Sequence, residues 1–330
     1  MRRPSTWIAG FVAAVLGVIA TWLVLPLATS GVLLNGNRWV REGLARKIDA
    51  ARARRDKVVL LGGSNVLFGL SARRLDEHHG VPAINLGQHA GLGRRYILAY
   101  GLSATQPGDV VVLSLEYPLW ESEKSRDTRN YYVLAHDVGY LYRQRPSELI
   151  EFLAGVRLDE WRTLLAARGR ALDSAPPPGY QIANIDAWGD ETSNRPEAAT
   201  PDVKAAAVNE PLRPPLMLDH RAILDVAGFR DRLSSKGARL VVTFPGMFRK
   251  HFAWDSNRRF YADLLAALRD SGITVAGAPE ESPFDLDCLY DSKYHTIRPC
   301  TFARTDRLAQ HLRALDVLAA SSDKKVIKSR

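Results

Sequence analysis

The stretch Lys57-Val-Val-Leu-Leu-Gly-Gly-Ser-Asn-Val-Leu-Phe-Gly69 joins an apolar run to two glycines, a serine and a second apolar run. The first run has the composition of a buried strand, and the second is typical of a helix. Because Gly62 and Gly63 lack side chains, the backbone can turn sharply and a substrate can approach the serine. The stretch therefore predicts an α/β fold that presents Ser64 at the carboxyl end of a strand.

Strands and helical segments alternate from residue 57 to residue 320, apart from one interruption. The predicted strands cover residues 57–61, 81–87, 109–114, 238–244 and 273–276, and the predicted helices cover 70–79, 93–103, 220–235, 256–271 and 302–320. Such alternation is typical of a parallel sheet. The strand at 109–114 is largely apolar, which predicts a central position in that sheet. Ser71 is the predicted N-cap of the first of these helices.

The α/β pattern is interrupted between about residues 120 and 216. Within this segment, residues 147–171 have a helical pattern, and much of the remainder is rich in Pro, Asn, Asp and Ala. We predict an insertion over 120–216 within an α/β domain that covers 57–320, forming a lid or a binding surface. Its aromatic residues suit either packing or stacking against sugars. The basic tail 321–330 is predicted to be disordered.

The N-terminal segment contains an almost unbroken apolar run from residue 7 to residue 28. About 20 such residues span a bilayer core, so residues 1–30 are predicted to form a transmembrane anchor. Arg2 and Arg3 precede the run and favour a cytoplasmic N-terminus. The alternative is a cleaved signal peptide that ends near the small residues at 28–30.

Residues 31–56 predict a basic helix that connects the anchor to the α/β domain, because apolar residues recur there at helical spacing. Its charges could contact anionic lipid headgroups, and a solvated helix face is the alternative. A strict count of positive charges would place this side of the span in the cytoplasm, although large domains cross membranes regardless of such charges. We therefore predict a single-pass protein of the bacterial inner membrane with a periplasmic C-terminal domain, and the inverted topology remains the alternative.

The charge balance narrows the range of partners. The 330 residues carry a formal net charge of +9, and a basic surface favours nucleic acid, anionic lipid or acidic glycans. The sequence has no helix-turn-helix, zinc-finger or RNA-binding motif, so we predict no nucleic-acid partner. Its histidines show no metal-ligand spacing, and no glycine-rich nucleotide motif is present, so no metal or cofactor is predicted.

A second polar motif, Asp291-Ser-Lys-Tyr-His295, precedes the final predicted helix. A serine is a weak nucleophile until a base removes its proton, and a histidine held by a carboxylate can act as that base. The motif therefore predicts an Asp–His pair that serves Ser64. Cys288 and Cys300 flank the motif and could form a disulfide, with two free thiols as the alternative.

A third motif, Asn85-Leu-Gly-Gln-His89, follows the second predicted strand. In a parallel sheet its residues emerge beside Ser64. The backbone N–H of Gly87 could then help to stabilise an oxyanion. His89 is an alternative base, although a structural or substrate-facing role is favoured for it.

The three motifs, in this order, resemble the nucleophile, glycine and terminal Asp/His blocks of the SGNH (GDSL-like) hydrolase superfamily. They are similar to its membrane-associated bacterial branch of alginate O-acetyltransferase-like proteins, and the resemblance covers about residues 57–118 and 218–316. It implies a flavodoxin-like three-layer α/β/α sandwich. It also implies that Ser64 is the nucleophile, His295 the base and Asp291 the orienting acid.

The same resemblance suggests which groups would face the oxyanion or the substrate. The backbone N–H groups of Ser64 and Gly87 would be oxyanion donors. Asn65 and Asn85 belong to the matching nucleophile and glycine blocks and are candidates for the same region.

The sequence departs from the family pattern at the third block, where an Asn side chain in a Gly-x-Asn-Asp setting normally supports the oxyanion. Here the third strand ends in Leu113-Ser-Leu-Glu-Tyr117, so Glu116 stands near this position. A carboxylate would repel an oxyanion unless it is protonated or turned away. Three residues separate Asp291 from His295, where two are commoner. A missing donor typically costs about 10²–10³ in rate.

The sequence as a whole predicts a membrane-anchored serine esterase or O-acyltransferase that acts on an acylated envelope polysaccharide through an acyl-serine intermediate. The alternative is a catalytically weak SGNH-like module that binds glycan or scaffolds an assembly of membrane proteins. Glu116 and the mid-chain insertion favour that alternative.

Overall fold

The computed structural model describes residues 4–122, 127–168, 171–172, 180–213 and 215–318. Contacts divide the chain into two compact units, one formed by residues 1–41 with 124–177 and the other by residues 42–123 with 178–330. The tail 321–330 and the proline-rich residues 175–179 lie outside the described residues.

The described residues contain fourteen α-helices. These are α1 Pro4–Thr29, α2 Asn35–Arg52, α3 Ser64–Leu67, α4 Ala72–His79, α5 Arg94–Ala104, α6 Asp127–His136, α7 Val138–Tyr142, α8 Pro146–Gly155, α9 Leu158–Ala166, α10 Pro201–Asn209, α11 His220–Ser235, α12 Arg249–Phe252, α13 Trp254–Asp270 and α14 Arg298–Ala314. The strands in the same residues are β1 Leu33–Leu34, β2 Val58–Gly62, β3 Ala83–Asn85, β4 Val110–Ser114, β5 Ala171–Leu172, β6 Arg239–Thr243, β7 Met247–Phe248, β8 Thr274–Ala276 and β9 Pro283–Phe284.

A five-stranded sheet in the order β3-β2-β4-β6-β8 organises the α/β unit. All neighbouring strands are parallel, and the register places Gly62 at the end of β2 opposite Ser114 at the end of β4. The prediction that the third of these strands is central is confirmed, since β4 pairs with both β2 and β6. This strand order is the flavodoxin-like one, in which ligands bind where the first and third strands end side by side. Residues just beyond β2 and β4 therefore flank the expected site.

Both faces of the sheet are covered by helices, because successive side chains point to opposite faces. On one face, Leu60 and Val112 pack in a buried cluster with Leu75 of α4 and Leu308 of α14. On the other face, Leu61 lies against Gly101 of α5, where an added Cβ would come within 2.3 Å of Leu61 Cδ2. The arrangement is the three-layer α/β/α sandwich that the sequence predicts.

Ser71 caps α4 as predicted, since its side chain accepts from the Arg74 N–H. The helical pattern predicted over 147–171 is present as two helices, of which the second ends at Ala166. The structure has α8 and α9 there, and the Glu160 carboxylate accepts the Arg157 N–H at 2.7 Å, which caps a new helix start. The helix α8 therefore ends at Gly155, before the capping residue Arg157 that begins α9.

The N-terminal helix α1 contains an apolar stretch of 23 residues, Trp7–Thr29, with a mean hydropathy of 2.5. None of the 18 most apolar consecutive residues of this stretch is buried within the protein. Its length and composition are sufficient to cross a bilayer.

Candidate active site

Ser64 is the first residue of α3, directly after β2 and the Gly63 N-cap, and its side chain is half-buried. The two preceding glycines are required by close approaches. A Cβ on Gly62 would lie 2.0 Å from the Ser114 carbonyl oxygen, and a Cβ on Gly63 would lie 2.3 Å from both carboxylate oxygens of Glu116. The Gly-Gly pair therefore lets the serine turn sit directly against the end of β4.

Glu116 follows β4 and lies beside the serine. Ser64 Oγ donates to Glu116 Oε1 at 3.3 Å, and the Asn65 N–H donates to the same oxygen at 3.0 Å. The residue is only 3% exposed, and Oε2 has no hydrogen-bond partner within the described part of the chain. Burial raises the pKa of Glu116, against the opposing effect of the Asn65 N–H. This carboxyl group is therefore not turned away from Ser64. Protonation is the remaining way in which it could avoid repelling an oxyanion.

Asp291 and His295 form a hydrogen-bonded pair, with His295 Nδ1 2.6 Å from Asp291 Oδ1. An antiparallel bridge between Leu289 and Thr296 closes the intervening loop, so the three-residue spacing still brings the two side chains together. The His295 ring stacks on Phe68 at a centroid distance of 4.2 Å. This packing fixes the orientation of the imidazole.

The second nitrogen of this imidazole is buried and unpaired. His295 is 3% exposed, and its Nε2 has no hydrogen-bond partner among the residues that the structure describes. A charge on His295 would lower the pKa of Glu116, so the two groups are within electrostatic reach. Ser64 Oγ is bonded to Glu116 and not to His295 in this structure. The structure thus brings Asp291 to His295, and Ser64 to Glu116.

The glycine block is held by internal hydrogen bonds. The Gly87 N–H, expected to face an oxyanion, donates to Asn85 Oδ1 at 2.8 Å. Asn85 Nδ2 donates to the Leu70 carbonyl and to Asp190 Oδ1, each at 3.0 Å. Asn85 is fully buried, and in this structure it ties β3 to the segment that follows the serine turn.

Two further candidates are engaged in local structure. Asn65 is fully buried and donates through Nδ2 to Ser114 Oγ at 2.9 Å, which links the serine turn to β4. His89 accepts the Gly91 N–H at Nδ1 over 2.9 Å and caps a short 3₁₀ turn. That bond occupies one of its two ring nitrogens.

Cys288 and Cys300 form a disulfide with a Cα–Cα separation of 5.7 Å. Cys300 lies in the first turn of α14, and Cys288 directly precedes the loop that holds Asp291 and His295. The bond therefore joins the start of that loop to the helix that follows it.

Sequence reasoning missed two buried residues, Asp190 and Lys47, whose hydrogen bonds hold segments next to the candidate site. Asp190 accepts Ser71 Oγ at 2.6 Å and the Ala72 N–H at 2.8 Å, as well as Asn85 Nδ2. Burial, followed by the charge of Asp186, raises the pKa of Asp190 to about 6. Lys47 of α2 donates to the Gly87 carbonyl at 2.7 Å, and burial lowers its pKa to about 8.

Two aromatic residues of the predicted insertion pack against other side chains of the protein. Tyr180 meets the edge of Phe68 at 5.4 Å between ring centroids, and it lies 6.5 Å from the His295 ring. Trp188, by contrast, donates to Asp76 Oδ2 at 2.7 Å and packs under the guanidinium of Arg73. Tyr180 thus lies next to the His295 ring, whereas Trp188 packs against α4.

One cluster of metal-ligand type lies away from this site. His78, His79 and Asp306 bring ligand atoms within 4.8 Å of one another. Arg74 already donates to both Asp306 oxygens, at 2.8 and 2.9 Å. A guanidinium fork on the only carboxylate of the cluster is an ion-pair arrangement.

The fold and the site define a class: a flavodoxin-like α/β protein that carries a serine turn, a buried glutamate and an Asp–His pair. No family model matches the sequence, and no curated protein matches it significantly. Among solved structures, that of the protein YxiM from Bacillus subtilis covers 79% of this chain at a TM-score of 0.37 and 11% sequence identity. The match spans 57% of that chain's own length. A similarity at this level carries no functional inference.

Proposed function

We propose that this protein is a membrane-anchored serine esterase or O-acyltransferase with Ser64 as nucleophile, His295 as base and Asp291 as orienting acid. The observation that carries the proposal is the buried, unpaired His295 Nε2, held by Asp291 and within electrostatic reach of the Ser64–Glu116 contact. A buried nitrogen without a partner costs free energy, and such a cost is typical of functional sites.

The reaction follows from these positions. Ser64 Oγ turns from Glu116 towards His295 Nε2, which removes its proton as the oxygen attacks an ester carbonyl. Asp291 stabilises the imidazolium that forms. The tetrahedral intermediate collapses when His295 gives the proton to the leaving alcohol, and an acyl-serine remains. Water or a sugar hydroxyl then attacks this ester by the same steps in reverse.

Glu116 takes the place of the missing Asn donor if it is a neutral acid. Its Oε1 accepts the Asn65 N–H, so Oε2 is the oxygen that carries the proton. A neutral carboxyl buried in an apolar site can donate a hydrogen bond to an oxyanion at neutral pH. Together with the Ser64 N–H it would supply two oxyanion donors. The burial of Glu116 and its raised pKa support this role.

The alternative function is a catalytically weak module that binds glycan or scaffolds a membrane assembly. Two contacts favour it: Ser64 Oγ donates to Glu116, and the Gly87 N–H is already satisfied by Asn85. In this case Glu116 would be ionised and would hold the serine away from His295.

A fluorophosphonate probe separates the two functions, because it reacts only with an activated serine. We expect the full chain in detergent micelles to be labelled and to hydrolyse p-nitrophenyl acetate. Ser64→Ala should lose both, whereas Ser235→Ala, at an exposed serine of α11, should keep both. Equal labelling of the wild type and Ser64→Ala would overturn the assignment, and an unlabelled but folded wild type would favour the binding module.

The polysaccharide substrate and the extracytoplasmic location belong to the same proposal. The apolar α1 supports the membrane anchor, and the disulfide is of a kind that persists in oxidising compartments such as the periplasm. A C-terminal reporter that is active only outside the cytoplasm tests the location. Activity of a cytoplasm-specific reporter would establish the inverted topology.

A further inference from the structure

The helices α6 to α9 belong to the same compact unit as α1. Hydrogen bonds join α6 to the C-terminal end of α1, and α9 also contacts α1. Thr29 Oγ1 donates to the Leu134 carbonyl of α6 at 3.1 Å, and the Gly31 N–H donates to the Ala135 carbonyl at 2.9 Å. The position of this helical group along α1 is therefore defined.

One contact reaches into the apolar stretch itself. Tyr142, at the end of α7, donates through its hydroxyl to the Leu23 carbonyl at 2.7 Å. Leu23 lies six residues before the end of α1, which is about 9 Å along the helix axis. A group that contacts Leu23 therefore lies alongside the apolar stretch, on the N-terminal side of its end at Thr29. Tyrosine is a residue that favours this depth in membranes, with its ring in the apolar layer and its hydroxyl near polar groups.

The helices that follow Tyr142 expose large apolar side chains. Leu158 is 79% exposed, Ile150 is 66% exposed, and Leu165 is 39% exposed. Leu158 and Leu165 are seven residues apart on α9 and share one face. Arg162 lies between them on that face and is exposed. Trp161 and Leu164 are buried and adjoin this face on one side, about 60° and about 120° from Leu158 around the helix. Exposed leucines bordered by an arginine suit a helix in the membrane interface, where the apolar side chains are buried and the basic side chain reaches the headgroups.

We propose that the Leu158–Leu165 face of α9, with Ile150 of α8, is inserted into the headgroup and upper acyl layer of the membrane that α1 crosses. The protein would then have a second, interfacial contact with the bilayer besides its anchor. Arg162 extends its guanidinium to the lipid phosphates while its methylene chain stays among the leucines. This inference rests on the anchoring part of the proposed function and is independent of the chemistry at Ser64.

Site-specific lipid quenching tests the contact in the full chain. Both native cysteines are in the disulfide, so a single introduced cysteine can be labelled with a fluorophore. The protein is placed in vesicles of phosphatidylcholine and phosphatidylglycerol that carry nitroxides high on their acyl chains. Leu158→Cys and Leu165→Cys are the test positions. Thr163→Cys is the matched control, because it is exposed on the same helix but about 140° from Leu158.

We expect the labels at 158 and 165 to lose most of their fluorescence to the lipid nitroxides and to resist aqueous iodide, and the label at 163 to show the reverse. A label at Val15→Cys, in the middle of α1, reports anchoring separately. If Val15 is quenched by lipid and Leu158 is quenched no more than Thr163, the interfacial contact is disproved and the anchor stands. Shielding of Leu158 from iodide without lipid quenching would indicate a protein partner and would also overturn the proposal. An unquenched Val15 removes both the anchor and the contact, whereas loss of Ser64 activity affects neither.

Discussion

The candidate site has two halves: the Asp291–His295 loop, and the Ser64–Glu116 corner, where the serine turn meets the end of β4. The two halves differ in how their polar groups are paired. In the loop, the carboxylate, the imidazole and the Phe68 ring are in contact, and one nitrogen is unpaired. In the corner, the serine hydroxyl donates a hydrogen bond to a buried acid. The comparison shows that a preformed Asp–His pair does not by itself define an active enzyme. The charge of one carboxyl group decides between the two proposed functions.

The largest expected effect is at the base. His295→Ala should lower kcat for p-nitrophenyl acetate by about 10⁴, because the proton of Ser64 then has no acceptor. His89→Ala removes the alternative base and should leave the rate within a few fold, after a check of folding by circular dichroism. A large loss in His89→Ala with retention in His295→Ala would exchange their roles.

The second largest effect is expected at Glu116, and it tests whether this carboxyl group supports the reaction or only blocks Ser64. Glu116→Ala removes the proposed oxyanion donor and should cost about 10²–10³ in kcat. Glu116→Gln keeps the shape and an N–H donor, so most of the activity should remain. The two steady-state rates, measured side by side, are the test. An increase in Glu116→Ala above the wild-type rate would show that the carboxylate blocks the serine.

The pH dependence sharpens the same point. Because the pKa of Glu116 is raised, the neutral donor is present at low pH and is lost as the pH rises through that pKa. Above it, each pH unit lowers the neutral fraction about tenfold. The ratio of wild-type to Glu116→Gln rates should therefore fall with increasing pH, because the variant keeps a neutral donor at every pH. A ratio independent of pH between 5 and about 9 would exclude the titration of Glu116 as the cause.

The smallest effect on rate is expected from the disulfide that flanks the loop. Cys288→Ser with Cys300→Ser opens a bridge between residues 12 apart and should lower the free energy of unfolding by about 3 kcal/mol. The rate should fall less than in Glu116→Ala, because Phe68 and Asp291 still hold the imidazole. Thermal unfolding and steady-state kinetics of the double variant, compared with the wild type, measure the two quantities. A rate as low as that of His295→Ala would show that the bridge positions the base.

The sequence was sufficient to predict the sheet, because its signals are local. Each strand is a short apolar run, and the apolar character of β4 on both faces predicted its central place. The Asp291–His295 pair was predictable for the same reason, since both residues lie on one loop. The Gly-Gly turn before Ser64 was predictable because only glycine tolerates the approach of β4.

The parts that could not be predicted depend on contacts between distant segments. Nothing near Gly87 indicates that Asn85 takes its N–H, because that side chain could equally have faced a ligand. The position of Glu116 against Gly63 depends on the pairing of β2 with β4, and its charge depends on burial. Asp190 has no motif that marks it as the partner of Ser71, 119 residues away. The outcome in each case is decided by packing.

The contacts of Asp190 have a consequence for the order in which the chain becomes native. Asn85 and Ser71 meet a partner that is synthesised more than 100 residues later, and Ser64 precedes its proposed base by more than 200. Such distant closures are slow, because a long loop must be ordered before any contact compensates for it. The early half of the sheet emerges from the ribosome with Asn85 and Ser71 still lacking this partner. A protein interrupted before residue 190 would leave these groups without it, so truncated chains are expected to be substrates for proteases and holding chaperones.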